Sequence, residues 1–175
     1  MLRKMFMISS IMIFSLMIVG VAKSGPNYVI DVRTPTENQE VPMEFRAEGK
    51  VTIWERKKIL DDMCLVPLIK PATYPRYYIQ SEKCKLEFRD VNGGFESEWS
   101  LLCKAGERID YGKKFYVHFF LTSRKSLRYL EDLAKKSKRK GINAVLFEKL
   151  FLNRSDKYFG EPVRIPIIRE FPALK

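Results

Sequence analysis

Residues 84–103 read CKLEFRDVNGGFESEWSLLC, and they set the fold class. A two-residue loop at Gly93-Gly94 suits a hairpin turn, because glycine tolerates positive φ at both central positions. Cys84 then faces Cys103, Leu86 faces Leu101 and Phe88 faces Trp99, all on one side of the ribbon. The other side pairs Lys85 with Leu102, Glu87 with Ser100 and Arg89 with Glu98. One register accounts for an apolar stripe, an aromatic pair and an ion pair. A loop at Asn92-Gly93 keeps the same faces and loses the direct cysteine pairing.

Working outward, the same period of two recurs. Tyr28, Ile30 and Val32 alternate with Val29, Asp31 and Arg33 until Pro35. Residues 41–53 carry Met43, Phe45, Ala47, Val51 and Ile53 on one parity, with Gly49 as an expected bulge or bend. Leu65–Ile69 is a short apolar run in a stretch with Pro67, Pro71 and Pro75, which argues against a central strand. Tyr77-Tyr78-Ile79 reads as an edge strand. Residues 113–122 put Phe115, Val117, Phe119 and Leu121 on one face. Tyr116, His118, Phe120 and Thr122 lie on the other, so this strand is covered on both sides or shows an aromatic surface. Pro162–Ile168 reads as a last strand, at an edge because of its two prolines.

The period changes at Arg124–Lys140. Leu127, Leu130, Leu133 and Ala134 form a helical stripe, Ser123 or Ser126 caps its start and Gly141 suits its end. Glu131 with Lys135, and Asp132 with Lys136, are spaced four apart in the favourable order. Residues 142–152 fit either a helix or a strand. Six to eight short strands plus one helix predict a mainly β, two-layered antiparallel sandwich as a single domain over residues 25–175.

The N-terminus predicts export. Arg3 and Lys4 precede the uncharged run Met5–Ala22, and Lys23-Ser24 follows, which is the order of a secretory signal ending at Ser24. An uncleaved anchor over residues 5–22 is the alternative, since eighteen residues rise about 27 Å as a helix. Either way the body lies outside the cytoplasm, periplasmic or secreted. The 151 residues after Ser24 hold 29 basic and 21 acidic side chains, a net charge of +8. Both Trp and all eight Tyr are among them, which excludes low-hydrophobicity disorder.

Ile30-Asp31-Val32, Pro35, Val41-Pro42, Phe45 and Gly49 resemble the opening two strands of bacterial immunoglobulin-like modules on exported proteins. In those modules a strand ends at a Pro-containing turn, and the next runs from a Val-Pro pair through an aromatic residue to a glycine. The match spans residues 30–54. It implies an immunoglobulin-like sandwich in a surface or periplasmic setting, in modules that bind, space or stabilise. No Cys lies in Met43–Ala47, so the inter-sheet disulfide of antibody domains is missing.

Chemistry-bearing residues are sparse. In an oxidising compartment, Cys84 and Cys103 are the expected disulfide, with buried thiols as the alternative. Cys64, Cys84, Cys103 and His118 lack the close pairs of structural zinc sites, so no metal and no cofactor is expected. His118 is the only histidine, and no nucleophile motif accompanies it, so catalysis is not expected. An exported hydrolase with an unrecognised site is the weakest reading. Asn153-Arg154-Ser155 is a glycosylation sequon, meaningful only in a eukaryotic source.

The charge pattern is the strongest functional signal. Residues 124–140 hold eight basic and two acidic side chains. Lys135, Lys136, Lys138, Arg139, Lys140 and Arg128 are the expected anion-binding surface. Basic residues at a helix C-terminus also favour the helix dipole, which is the structural alternative. Expected partners are anionic polysaccharide, lipid head groups or an acidic protein, with nucleic acid fitting least after export. Tyr116, Phe120 and Tyr129 would add stacking if they share that surface.

Overall fold

The computed structural model describes residues 28–54, 57–80, 84–140, 145–146 and 162–171. The expected leader 1–24, the cap Gly141 and the sequon at Asn153 lie outside the described residues. The elements are β1 (Tyr28–Thr34), β2 (Gln39–Val41), β3 (Glu44–Ile53), β4 (Met63–Pro71), β5 (Arg76–Ile79), β6 (Cys84–Lys85), β7 (Arg89–Val91), β8 (Gly94–Lys104), β9 (Lys114–Ser123), α1 (Arg124–Arg139), β10 (Val145–Leu146) and β11 (Val163–Arg169). Among the described residues they make a mainly β fold of two sheets and one α-helix, with a short 3-10 helix at Lys57–Asp62. One sheet has the order β1-β3-β8-β7, and the other β10-β5-β4-β9-β11-β2, with β6 also paired to β4.

Strict alternation makes the two sheets pack. Phe45, Ala47, Val51 and Ile53 of β3 and Trp99, Leu101 and Cys103 of β8 face inward. They meet Leu65 and Ile69 of β4 and Phe115, Val117, Phe119 and Leu121 of β9. Full burial of each large side chain is worth about 1.5–3 kcal/mol. The Trp99 and Phe119 rings touch across the layers, 4.9 Å between centroids.

The hairpin differs from its preferred register. Arg89 pairs with Glu96, Asp90 with Phe95 and Val91 with Gly94, so the loop is Asn92-Gly93, with φ of 84° at Gly93. Gly94 opens β8, where a Cβ would stand 2.9 Å from the Ile53 carbonyl oxygen, so glycine fits this close approach. Upstream, the chain changes sheet. Cys84 pairs with Leu65 of β4, while Cys103 pairs with Phe45 of β3. The direct cross-strand Cys84–Cys103 opposition is therefore absent, and the Cys84 side chain lies outside the described part. The Arg89–Glu98 pair is likewise replaced: Arg89 pairs with Glu96, and Glu98 bonds Arg33.

Gly49 is not a bulge. The β3–β8 register runs unbroken from Glu44–Lys104 to Ile53–Phe95, and the irregularity lies in β1 between Val32 and Thr34. Gly49 instead permits a close approach, since a Cβ there would fall 2.1 Å from the Asp31 carbonyl oxygen and 2.5 Å from the Trp99 ring. Gly49→Ala is expected to push β1 from β3 and cost about 1–3 kcal/mol. Urea unfolding would read it, and unchanged stability would show that β1 contributes little.

Prolines sit where no donor is required. Contrary to expectation, β4 is a central strand containing Pro67. The Pro67 carbonyl oxygen accepts from the Gln80 N–H, so its missing donor faces the gap between β5 and β6. In β11, also not simply an edge, the Pro166 carbonyl oxygen accepts from the Asn38 N–H at 2.7 Å. Its missing donor faces the side where β2 begins to pair at Ile167. β5 likewise gains a neighbour, because Val145 and Leu146 form β10 beside it. Of the ambiguous 142–152 stretch, those two residues are strand and the rest lies outside the described residues.

Candidate anion-binding surface

Helix α1 follows β9 directly. The Ser123 side chain caps it by accepting the Ser126 N–H at 3.2 Å. Leu127, Leu130, Leu133 and Ala134 bury against Val66, Leu68, Tyr77 and Phe120, on the side of the second sheet away from the main core. This is why β9 is apolar on both faces. Phe120 and Thr122, 2% and 0% exposed, lie under the helix.

With the stripe facing the sheet, the charges face outward. Arg128, Lys135, Lys136, Lys138, Arg139 and Lys140 are all exposed. At roughly 100° per residue, Arg128, Lys135 and Arg139 fall near one line opposite the stripe. The nearby acids neutralise mainly the first half of the helix. Asp62 lies 3.7 Å from Arg124, and the Asp61 carbonyl oxygen accepts from the same guanidinium. Lys135 meets Asp132, three residues before it, at 3.9 Å. Both side chains are well exposed, so that pair contributes little and leaves the ammonium available. Arg128 also lines a shallow cleft of about 520 Å³ with Tyr129 and Lys125.

The sheet beneath extends the basic surface. Strands β4, β5, β9 and β11 contain no acid, and of their cations Lys70, Arg76, Lys114 and Arg164 reach solvent, while Arg169 is buried at the far end of β11. Lys70 and Arg164 flank His118 and Tyr116 on the outer face, with the Arg164 guanidinium 3.6 Å from the Tyr116 ring centroid. The other sheet is different. Its outer face is charge-compensated by Arg33 with Glu98 and by Lys50 with Glu96 at 2.8 Å. The hydrogen bond from Lys50 also holds the Glu96 carboxyl below its ordinary pKa. The cations of the second sheet escaped the sequence reading because they are scattered over four strands, and only register puts them side by side.

His118 sits within this surface as a buried ring. It is 5% exposed, packed edge-on against Tyr77 at 5.0 Å and stacked on Phe120. Neither ring nitrogen has a hydrogen-bond partner among the described residues. Burial, and then the charges of Arg164 and Lys70, lower its pKa to about 4, so the ring is neutral at pH 7. The charged groups facing it are cations; no described strand of its face brings it a carboxylate. Cys103, in the core between the sheets, and His118, on the outer face, lie on opposite sides of the second sheet. Among the described residues no metal-ligand cluster forms. Phe120 is buried and unavailable for stacking, whereas Tyr116 and Tyr129 are partly exposed.

No protein-family model and no curated protein sequence matches the chain.

Proposed function

We propose that the chain is an exported, non-catalytic binding or accessory protein with an immunoglobulin-like sandwich that holds an anionic partner on its basic face. The observation carrying this reading is the segregation of charge. Cross-strand ion pairs compensate one sheet, while α1 and the acid-free strands of the other gather cations. A positive field on one side attracts polyanions and orients them.

Strand order supports the immunoglobulin-like part. The arrangement β1-β3-β8-β7 against β5-β4-β9-β11 parallels the two-sheet order of such domains, with α1 inserted before the last strand. The short β2, parallel to β11, gives the first strand a foot in each sheet. A lipid surface, an anionic polysaccharide and an acidic protein share the required chemistry. On lipid, α1 would adsorb by charge alone, since its apolar stripe is already spent on the protein core.

The test reverses three outward charges together, Arg128→Glu, Lys135→Glu and Arg139→Glu. At about 0.5 kcal/mol per exposed contact, retention on a heparin support or on anionic vesicles should weaken about tenfold. Its salt dependence should flatten, with the melting temperature unchanged. Unchanged retention would overturn the reading.

A further inference from the structure

At the Lys114 end of β9, roughly 30 Å of strand away from the start of α1, the chain builds a second basic feature. Arg169, the last residue of β11, is 2% exposed. Its Nη1 donates to the Val41 carbonyl oxygen at 3.0 Å, while Nε has no hydrogen-bond partner. Among the described residues no carboxylate stands within ion-pairing distance of this guanidinium. A buried charge in that state is costly unless something supplies the counter-charge.

Arg169 lines an open pocket of about 450 Å³. Arg108 brings a second cation to it, and Met43 and Pro42 form an apolar floor. The rings of Tyr111 and Phe171 lie nearly parallel, 6.4 Å between centroids, and Phe171 is 66% exposed. Large exposed apolar rings beside a buried cation are an unusual use of surface.

The pocket is held rigidly by the backbone. The Gly112 N–H donates to the Arg169 carbonyl oxygen, the Arg169 N–H to Lys113 and the Glu170 N–H to Val41, all at 2.8–3.0 Å. Gly112 has φ of 67°, and a Cβ there would meet the Phe171 ring at 2.8 Å, so glycine lets the ring lie against the turn. Asp110 is occupied within that turn, accepting from Lys113 Nζ and the Glu107 N–H, both at 2.7 Å. It accepts no hydrogen bond from Arg169; the Arg169 charge helps to lower its pKa, and the Tyr111 ring lies 5.9 Å from the guanidinium carbon, so the buried charge is compensated only in part.

The geometry points to a binding site for a monocarboxylate with a flat apolar body. The carboxylate meets Arg169 with Arg108 beside it, and the body lies against Tyr111 and Phe171. A guanidinium fork matches a carboxylate in shape. Two cations and the Glu170 carboxylate leave the lining one positive charge in excess, which a monoanion neutralises and a dianion overshoots. Neither the substance of this site nor its location depends on the basic helix.

Sodium phenylacetate, its neutral isostere phenylacetamide and inorganic phosphate are titrated into the full chain and followed by backbone amide shifts. Phenylacetate is expected to shift Tyr111, Gly112 and Arg169 and to bind at least about tenfold more tightly than either control. Phe171→Ser and Arg108→Gln alter exposed side chains and should preserve folding while each weakens phenylacetate several-fold. Arg169→Met should abolish the preference over phenylacetamide where it folds. The triple reversal on α1 should leave phenylacetate binding intact. Equal binding of acid and amide, phosphate binding as tight as phenylacetate, shifts elsewhere only, or no effect of Phe171→Ser and Arg108→Gln would each overturn the proposal.

Discussion

Leu130→Asp is expected to release α1 from the protein while leaving the two sheets folded. Leu130 is 1% exposed and sits at the centre of the small cluster made with Val66, Leu68, Tyr77 and Phe120. A carboxylate there would be buried without a partner. Even truncation to Ala removes about 2–5 kcal/mol of contact and cavity energy. The helix has little else to hold it. Sixteen residues are near the limit for an isolated helix in water, and its seven cations against two acids repel one another. The main core between the sheets contains no residue of α1. Hydrogen exchange should therefore show amides 124–139 losing protection while β3 and β8 keep theirs. Uniform loss across all strands would mean that helix and sandwich form one cooperative unit. The same variant should lose polyanion binding, because the cations would no longer be displayed on a fixed face.

Acid should destabilise the protein well before its carboxylates titrate, and His118 is the cause. Its folded pKa of about 4 lies below the ordinary 6.5. The fold thus requires the neutral ring, and protons bind preferentially to the unfolded chain. Stability is full above pH 6.5, declines as pH falls through 6.5 towards 4, and levels off below that. The shift corresponds to a loss of about 3 kcal/mol. Glu96 and Asp110 have folded pKa values below their ordinary 4.5 and 3.8, so their losses come at lower pH. His118→Phe keeps the stacking against Phe120 and the edge contact with Tyr77, and removes two buried nitrogens without partners. It should raise stability at pH 7 by about 1 kcal/mol and flatten the profile between pH 6.5 and 4.5. A wild-type profile that is already flat there would show that the ring protonates in place.

Much of the fold was legible because local periodicity is a local property. Phe45 to Ile53 and Phe115 to Leu121 alternate as written, and the inward set is the set the sequence marks. The helix was equally legible, including its Ser123 cap, because a stripe at helical spacing followed by a charge run leaves few alternatives. The outward cations of α1 follow from that stripe: once Leu130 faces the sheet, Arg128, Lys135 and Arg139 must face away. The misreadings all concern partners. Pro67 looked incompatible with a central strand, yet its missing donor faces a gap between two neighbours. Gly49 looked like a bulge, yet it makes room for Trp99 and Asp31. The hairpin loop moved by one residue, with Gly94 in close approach to Ile53, a neighbour about forty positions away in the chain.

By itself, then, the chain's order of residues determined which segments are strand, which is helix, and which side of each is apolar, since those depend on neighbours two to four positions away. Only the tertiary structure decided that Lys70 and Arg164 flank His118, that Cys84 and Cys103 pair into different sheets, and that Arg169 lies buried beside Tyr111 and Phe171. Such juxtapositions arise when distant segments are brought into register, and pairing energies summed over whole sheets, not the preferences of any one stretch, select that register.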